Sequence, residues 1–133
     1  MDKYQETWNT WNNIAELYEE VFMDLDLYNE SYNAFLNLLS KPNSSILDIG
    51  CGPGNITKYL LSKKPKLKIK GIDVSEKMIK IATKNNPNEE FIIMDSRELD
   101  SIKETFDALI CGFCIPYLSK FDCVKLIADC KKR

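Results

Sequence analysis

Three glycines in five residues, Gly50, Gly52 and Gly54, follow the apolar run Ile46 to Ile49 and precede a helical pattern of Ile56, Tyr59 and Leu60. Such a turn lets the backbone bend sharply and approach a ligand closely, and the N–H groups at the start of the next helix can meet a negative group. Acids flank the turn. Asp48 stands just ahead of it, and Asp73, 21 residues past Gly52, closes the next apolar run, where a carboxylate can accept both hydroxyls of a ribose. Asp95 closes a third run. If the three runs are neighbouring parallel strands, the acids share one rim, at the crevice where such sheets bind ligands. A strand-end Asp can instead simply cap the helix that follows it, a rival that stays open for Asp95 and is weaker for Asp73, because Ser75 is better placed to cap.

Other residue types exclude chemistry. The 133 residues contain no histidine, which removes Ser-His-Asp and Cys-His nucleophiles and His-ligated metals. Five cysteines, an odd number, follow an N-terminus without a signal-peptide pattern, so a reducing cytoplasm is expected. Cys111 and Cys114 have C-x-x-C spacing, but Ile115, Pro116 and Tyr117 intervene before the next helix. An ordinary strand end is therefore preferred to a low-pKa redox thiol. Zinc is disfavoured because Cys123 and Cys130 would lie ~10.5 Å apart along a helix. The run Lys63, Lys64, Lys66, Lys68, Lys70 reads as a solvated edge, and a net charge of −2 gives no global field for nucleic acid or an acidic membrane.

The elements that must position these residues follow from periodicity. Trp8, Trp11, Ile14, Ala15, Tyr18 and Phe22 describe an amphipathic helix from about Glu6 to Met23, interrupted at Asp24 to Asp26. A second stripe, Tyr28, Tyr32, Phe35, Leu36 and Leu39, stops at Lys41-Pro42. Then strands at Ile46–Ile49, Leu67–Ile72, Phe91–Met94 and Phe106–Cys111 alternate with helices: one after the glycines, one capped by Ser75 and a last one opening at Ser119. Alternation of this kind implies right-handed crossovers and a parallel sheet in a single domain, with residues 1–42 a helical cap and 43–133 an α/β core.

The run Ile46-Leu47-Asp48-Ile49-Gly50-Cys51-Gly52-Pro53-Gly54-Asn55 resembles the first motif of class I S-adenosylmethionine-dependent methyltransferases, and Gly71-Ile72-Asp73-Val74-Ser75-Glu76-Lys77-Met78-Ile79 their second. Phe91 to Asp95 is similar to the third, and Phe106 to Ile110 to the strand before the substrate-side loop. The resemblance implies a three-layer Rossmann-like α/β sheet of order 3-2-1-4, with N-terminal helices over its cofactor rim. It implies S-adenosylmethionine as cofactor and a small-molecule methyl acceptor. Asp48 would steady the loop and help hold the cofactor's amino group, with Gly50, Cys51 and Gly52 along its methionine portion. Asp73 would hold the ribose, and Val74 and Met78 would lie against the adenine. Asp95 would accept from the adenine amino group and the Ser96 backbone would meet a ring nitrogen. Gly112 and Phe113 would face the sulfonium, and Tyr18 matches a tyrosine that closes over the cofactor. In the plain rival readings Cys51 is a small loop filler and Met78 is core. No catalytic residue is assigned; a base, if needed, would be Tyr18, Tyr117 or a carboxylate.

A dinucleotide-binding reading fits less well, since Asn55 stands where G-x-G-x-x-G requires its third glycine. The family fold has seven strands and four are legible here, so the expectation is a cofactor-binding part truncated before strand 5. Self-association through an exposed fourth strand, and a non-catalytic binding or interaction module, are the alternatives.

Overall fold

Strands of an all-parallel sheet are covered on both faces and so read as near-continuous apolar runs, which is the pattern from residue 45 onward. A computed structural model of the chain describes residues 3–23 and 28–111. In order, the elements are α1 (Lys3–Phe22), α2 (Asn29–Asn37), β1 (Ser45–Ile49), α3 (Asn55–Lys63), β2 (Lys68–Asp73), α4 (Glu76–Asn85), β3 (Glu90–Ile93), a 3-10 helix (Ser96–Ser101) and β4 (Ala108–Cys111). The four strands form a parallel sheet in the order β3-β2-β1-β4, with Asp48 opposite Gly71 and Ile110, and Gly71 opposite Phe91. The expected order is the observed one.

Alternation along the strands divides the core into layers. Ile46 and Ile69 pack with Tyr32 and Leu36 of α2 and with Ile56 and Leu60 of α3 on one face. Leu47, Ile49 and Ile72 face the other way, against Leu99 and Ile102 of the segment that leads into β4. Ile79 and Ala82 of α4 close over Cys51 and Phe91. Gly71 makes that closure possible, because a Cβ there would fall 2.4 Å from the Phe91 ring and 3.0 Å from Cys51 Sγ.

Three details differ from the sequence reading. β4 starts at Ala108, not Phe106, because Asp107 is spent on β1: its N–H donates to the Ser45 carbonyl, and its Oδ2 accepts from Ser45 N at 2.8 Å. β2 lies between β1 and β3, so the lysine run marks the start of an inner strand rather than a sheet edge. Lys70 turns to Glu104 and Glu90, and Lys64 Nζ donates to the Leu36 carbonyl. The 3-10 helix is an addition, since Leu99 is its only buried side chain and too little apolar periodicity announces it. The expected Asp24–Asp26 break and the helix opening at Ser119 lie outside the described residues.

Candidate functional site

The glycine turn is built from backbone that only glycine adopts readily. Gly50, Gly52 and Gly54 have φ of 68°, 54° and 81°, in the left-handed region that costs any residue with a Cβ. Cys51 N donates to the Ile72 carbonyl of β2 and Gly54 N to the Cys51 carbonyl, which hold the turn against the strand ends. At Gly54 the turn also needs space: a Cβ would meet Asn86 Nδ2 at 2.5 Å and the Ala82 backbone at 3.2 Å. At Gly52 an added Cβ would have room, its nearest neighbour Tyr18 Cε1 in ordinary van der Waals contact at 3.9 Å.

Asp73 ends β2 and reaches back across the rim. Its Oδ2 accepts from Gly52 N and its Oδ1 from Ser75 N, both at 2.9 Å, so one carboxylate ties the glycine turn to the start of α4. Burial raises its pKa, opposed by backbone N–H groups of Ser75, Gly52 and Val74. Each oxygen keeps a further lone pair, so the group can still accept hydroxyl donors. Ser75 is the side-chain cap of α4, accepting from Met78 N, which leaves Asp73 free of that task.

Asp48 lies wholly buried in β1. Thr57 of α3 donates to its Oδ2 at 2.8 Å, and Oδ1 has no partner among the described residues. Burial pushes its pKa up to about 7, with Asp73 adding to the rise and Thr57 opposing it. A buried carboxylate oxygen without a donor is costly in a folded chain and calls for a cation or N–H donor beyond the described residues.

Asp95 is both strand end and cap. Its Oδ1 accepts from Arg97 N at 2.9 Å and its Oδ2 from Arg97 Nε at 2.7 Å, and Ser96 opens the 3-10 helix beside it. The cap that the sequence leaves open as a rival is thus present. Cys51 is buried against Ile79, Ala82 and Phe91, so its backbone alone can line the turn. Burial, then Asp48 and Asp73, push its thiol well above the usual range, as a filler requires. Met78 is buried and Val74 half-buried. Cys111, read as an ordinary strand end, is disulfide-bonded. Gly112, Phe113 and Tyr117 lie outside the described residues.

α1 crosses this rim. Trp8 faces the Arg97 guanidinium, Asn12 Oδ1 accepts from Ser75 Oγ and from Lys77 N, and Tyr18, edge-on to Trp11, stands beside Gly52. Asn85 Nδ2 donates to Glu19 Oε2 at 2.7 Å and to the Pro53 carbonyl at 3.1 Å. Sequence reasoning brings Tyr18, Asp48, Asp73 and Asp95 to one rim, and the structure places them there. It missed Thr57, Asn12 and Asn85, whose partners lie on other elements and leave no local spacing signal, and Arg97, which joins Asp95 two residues before it to Trp8 on α1. It also read Tyr32 only as core, whereas burial, then Tyr18, Asp48 and Tyr28, push its hydroxyl up to about 12.

Comparison with known proteins places this geometry. A methyltransferase domain family model matches residues 46–133. The chain is 33% identical over 87 residues to a demethylmenaquinone methyltransferase of Thermotoga maritima, covering 65% of this chain and 37% of that protein. It is 39% identical over 77 residues to a malonyl-[acyl-carrier protein] O-methyltransferase of Acetivibrio thermocellus, covering 56% and 27%. The chain thus spans only about a third of the length of these curated relatives. Magnesium protoporphyrin IX methyltransferase from Synechocystis PCC 6803, solved with bound SAM, superposes with a TM-score of 0.79 at 15% identity, over 99% of this chain and 72% of that one; at that identity the likeness is one of fold.

Proposed function

The chain belongs to the methyltransferase domain family, whose cofactor is S-adenosylmethionine, and from that premise we propose that it binds this cofactor on the glycine rim and delivers the methyl group to a small molecule. The observation that carries the proposal is Asp48 Oδ1, which has no partner among the described residues, in a fully buried side chain just ahead of three left-handed glycines. An ammonium group suits that oxygen, the bare backbone of Gly52 suits a ligand chain passing close to it beside Tyr18, and Asp73 keeps lone pairs for hydroxyls.

When bound, the cofactor supplies a methyl group already activated by its sulfonium. The protein's part is therefore holding, alignment and exclusion of water. In this reading Asp48 meets the amino group, Gly50, Cys51 and Gly52 line the methionine portion with backbone, and Asp73 holds the ribose. Val74 and Met78 flank the adenine, Asp95 and the Ser96 backbone meet its polar edge, and Tyr18 closes from α1. Gly112 and Phe113 are assigned to the sulfonium side on their match to the family motif. No base is assigned, and with no histidine in the chain Tyr18, Tyr117 or a carboxylate are the candidates. The two relatives named above are named for demethylmenaquinone and for malonyl-[acyl-carrier protein], so no single acceptor is chosen. We place the protein in the cytoplasm on its odd count of cysteines, against which the Cys111 disulfide weighs. No described helix is long and apolar enough to cross a membrane. Residues 1–42 serve as cap and 43–133 as core in the same proposal, and β4, which pairs only with β1 among the described strands, is the edge offered for self-association.

Calorimetric titration with S-adenosylhomocysteine tests cofactor recognition. Wild type binds, and Asp73→Ala loses about 1–3 kcal/mol as charge-assisted hydrogen bonds to the ribose disappear; equal affinity contradicts the ribose assignment. Transfer of a labelled methyl group to one member of a metabolite panel supports the enzyme. Cofactor binding without transfer to any of them supports a binding module instead.

A further inference from the structure

We propose that Arg97 is a positioning residue that sets the purine selectivity of the cofactor site by fixing the Asp95 carboxylate. The inference rests on the cofactor reading above and goes beyond it to Arg97, a residue to which that reading gives no role.

Asp95 is held from three directions by one residue. Arg97 N reaches Oδ1 at 2.9 Å, and Nε and Nη2 converge on Oδ2 at 2.7 and 2.5 Å. The carboxylate is 10% exposed and the guanidinium 31%. Two donors on one oxygen and a backbone donor on the other fix the plane of the group, so the lone pairs left over point in set directions. A carboxylate whose oxygens are turned to N–H donors accepts hydrogen bonds and donates none. It therefore favours a ring edge that carries an amino group and repels one that carries a carbonyl oxygen there. Adenine has the amino group at that edge and hypoxanthine the carbonyl.

Arg97 is itself held. Its guanidinium carbon lies 5.6 Å from the centroid of the Trp8 ring, a cation–π contact that links the 3-10 helix to α1. Without the arginine side chain, Asp95 keeps only the backbone N–H of residue 97 and can turn about its own side-chain bonds. General packing would weaken binding of any nucleoside equally. Loss of orientation at Asp95 weakens the adenine ligand selectively.

The test is calorimetry on the 133-residue chain with two ligands, S-adenosylhomocysteine and S-inosylhomocysteine. Wild type is expected to prefer the adenosyl ligand by about tenfold or more, as a site built around one hydrogen-bond pattern does. Arg97→Gln is expected to bring the ratio close to one, Arg97→Lys to restore part of it, and Trp8→Leu, which leaves the Asp95 contacts in place, to fall between. If Arg97→Gln weakens both ligands by the same factor and preserves the ratio, the inference is overturned while the cofactor reading stands. If wild type binds neither ligand, the cofactor reading fails and takes the inference with it. Should Arg97→Gln not fold, an unchanged ratio in both Arg97→Lys and Trp8→Leu overturns the proposal.

Discussion

At the scale of single residues, burial of Asp48 makes the stability of the folded chain depend on pH. Its pKa of about 7 lies above the ordinary 3.8, so the folded chain holds this proton more tightly than the unfolded one. The resulting stability is complete below about pH 4 and is lost as pH rises through 7, an effect on the order of 4 kcal/mol for a shift of this size. Asp48→Asn removes the titration. Urea midpoints measured between pH 4 and 8 are expected to fall for wild type and to fall much less for the variant; parallel slopes would show that Asp48 is not the group responsible. The same substitution deprives a bound ammonium of its partner, so affinity for S-adenosylhomocysteine should drop in the variant even as its stability at neutral pH rises.

Elements carry a different division of labour, in which two glycines of one turn serve different ends. Gly54 is packed tightly under α4, and Gly52 has room for a Cβ beside Tyr18. Gly54→Ala adds a clash with the buried Asn86 amide to a left-handed φ of 81°, a combination expected to cost about 2–4 kcal/mol of stability. Gly52→Ala carries the conformational strain without the clash, about 1–2 kcal/mol. Its Cβ would project where the cofactor passes, so binding should suffer more than folding. Denaturation and titration on both variants check the crossover; equal losses in both assays would contradict it.

Such assignments show what one sequence can and cannot disclose about its elements. The strands, the glycine turn and the Ser75 cap were legible because each has a local signature, namely an apolar run, three closely spaced glycines and a hydroxyl three residues before Met78, whereas the strand order came from the family resemblance. The 3-10 helix was not, because a single buried Leu99 makes no period. Arg97 escaped notice because its ring partner Trp8 is 89 positions away in the chain, and Thr57 because threonine in a helix ordinarily signals nothing about a carboxylate on the strand before it. For Asp95 the two sequence readings, cap and ligand acceptor, are compatible in the fold, since Arg97 uses only part of the carboxylate.

Across the whole molecule, α1 acts as a strap whose polar contacts track the rim. Trp8 touches the 3-10 helix, Asn12 the start of α4, Tyr18 the glycine turn and Glu19 the end of α4. Its other side leaves Ile14, Leu17 and Val21 exposed, so the helix is held to the core by one narrow face around the fully buried Ala15. A cofactor on the rim lies beneath that strap and adds contacts to it, which makes ligand binding and the docking of α1 mutually stabilising. The most direct test of the account is a crystal structure of the chain grown with S-adenosylhomocysteine. The account predicts the ribose against Asp73, the amino group above Asp48 and the adenine edge at Asp95, under α1. Clear density for the molecule at any other place, with the rim beside Gly52 and Asp73 empty, would contradict it.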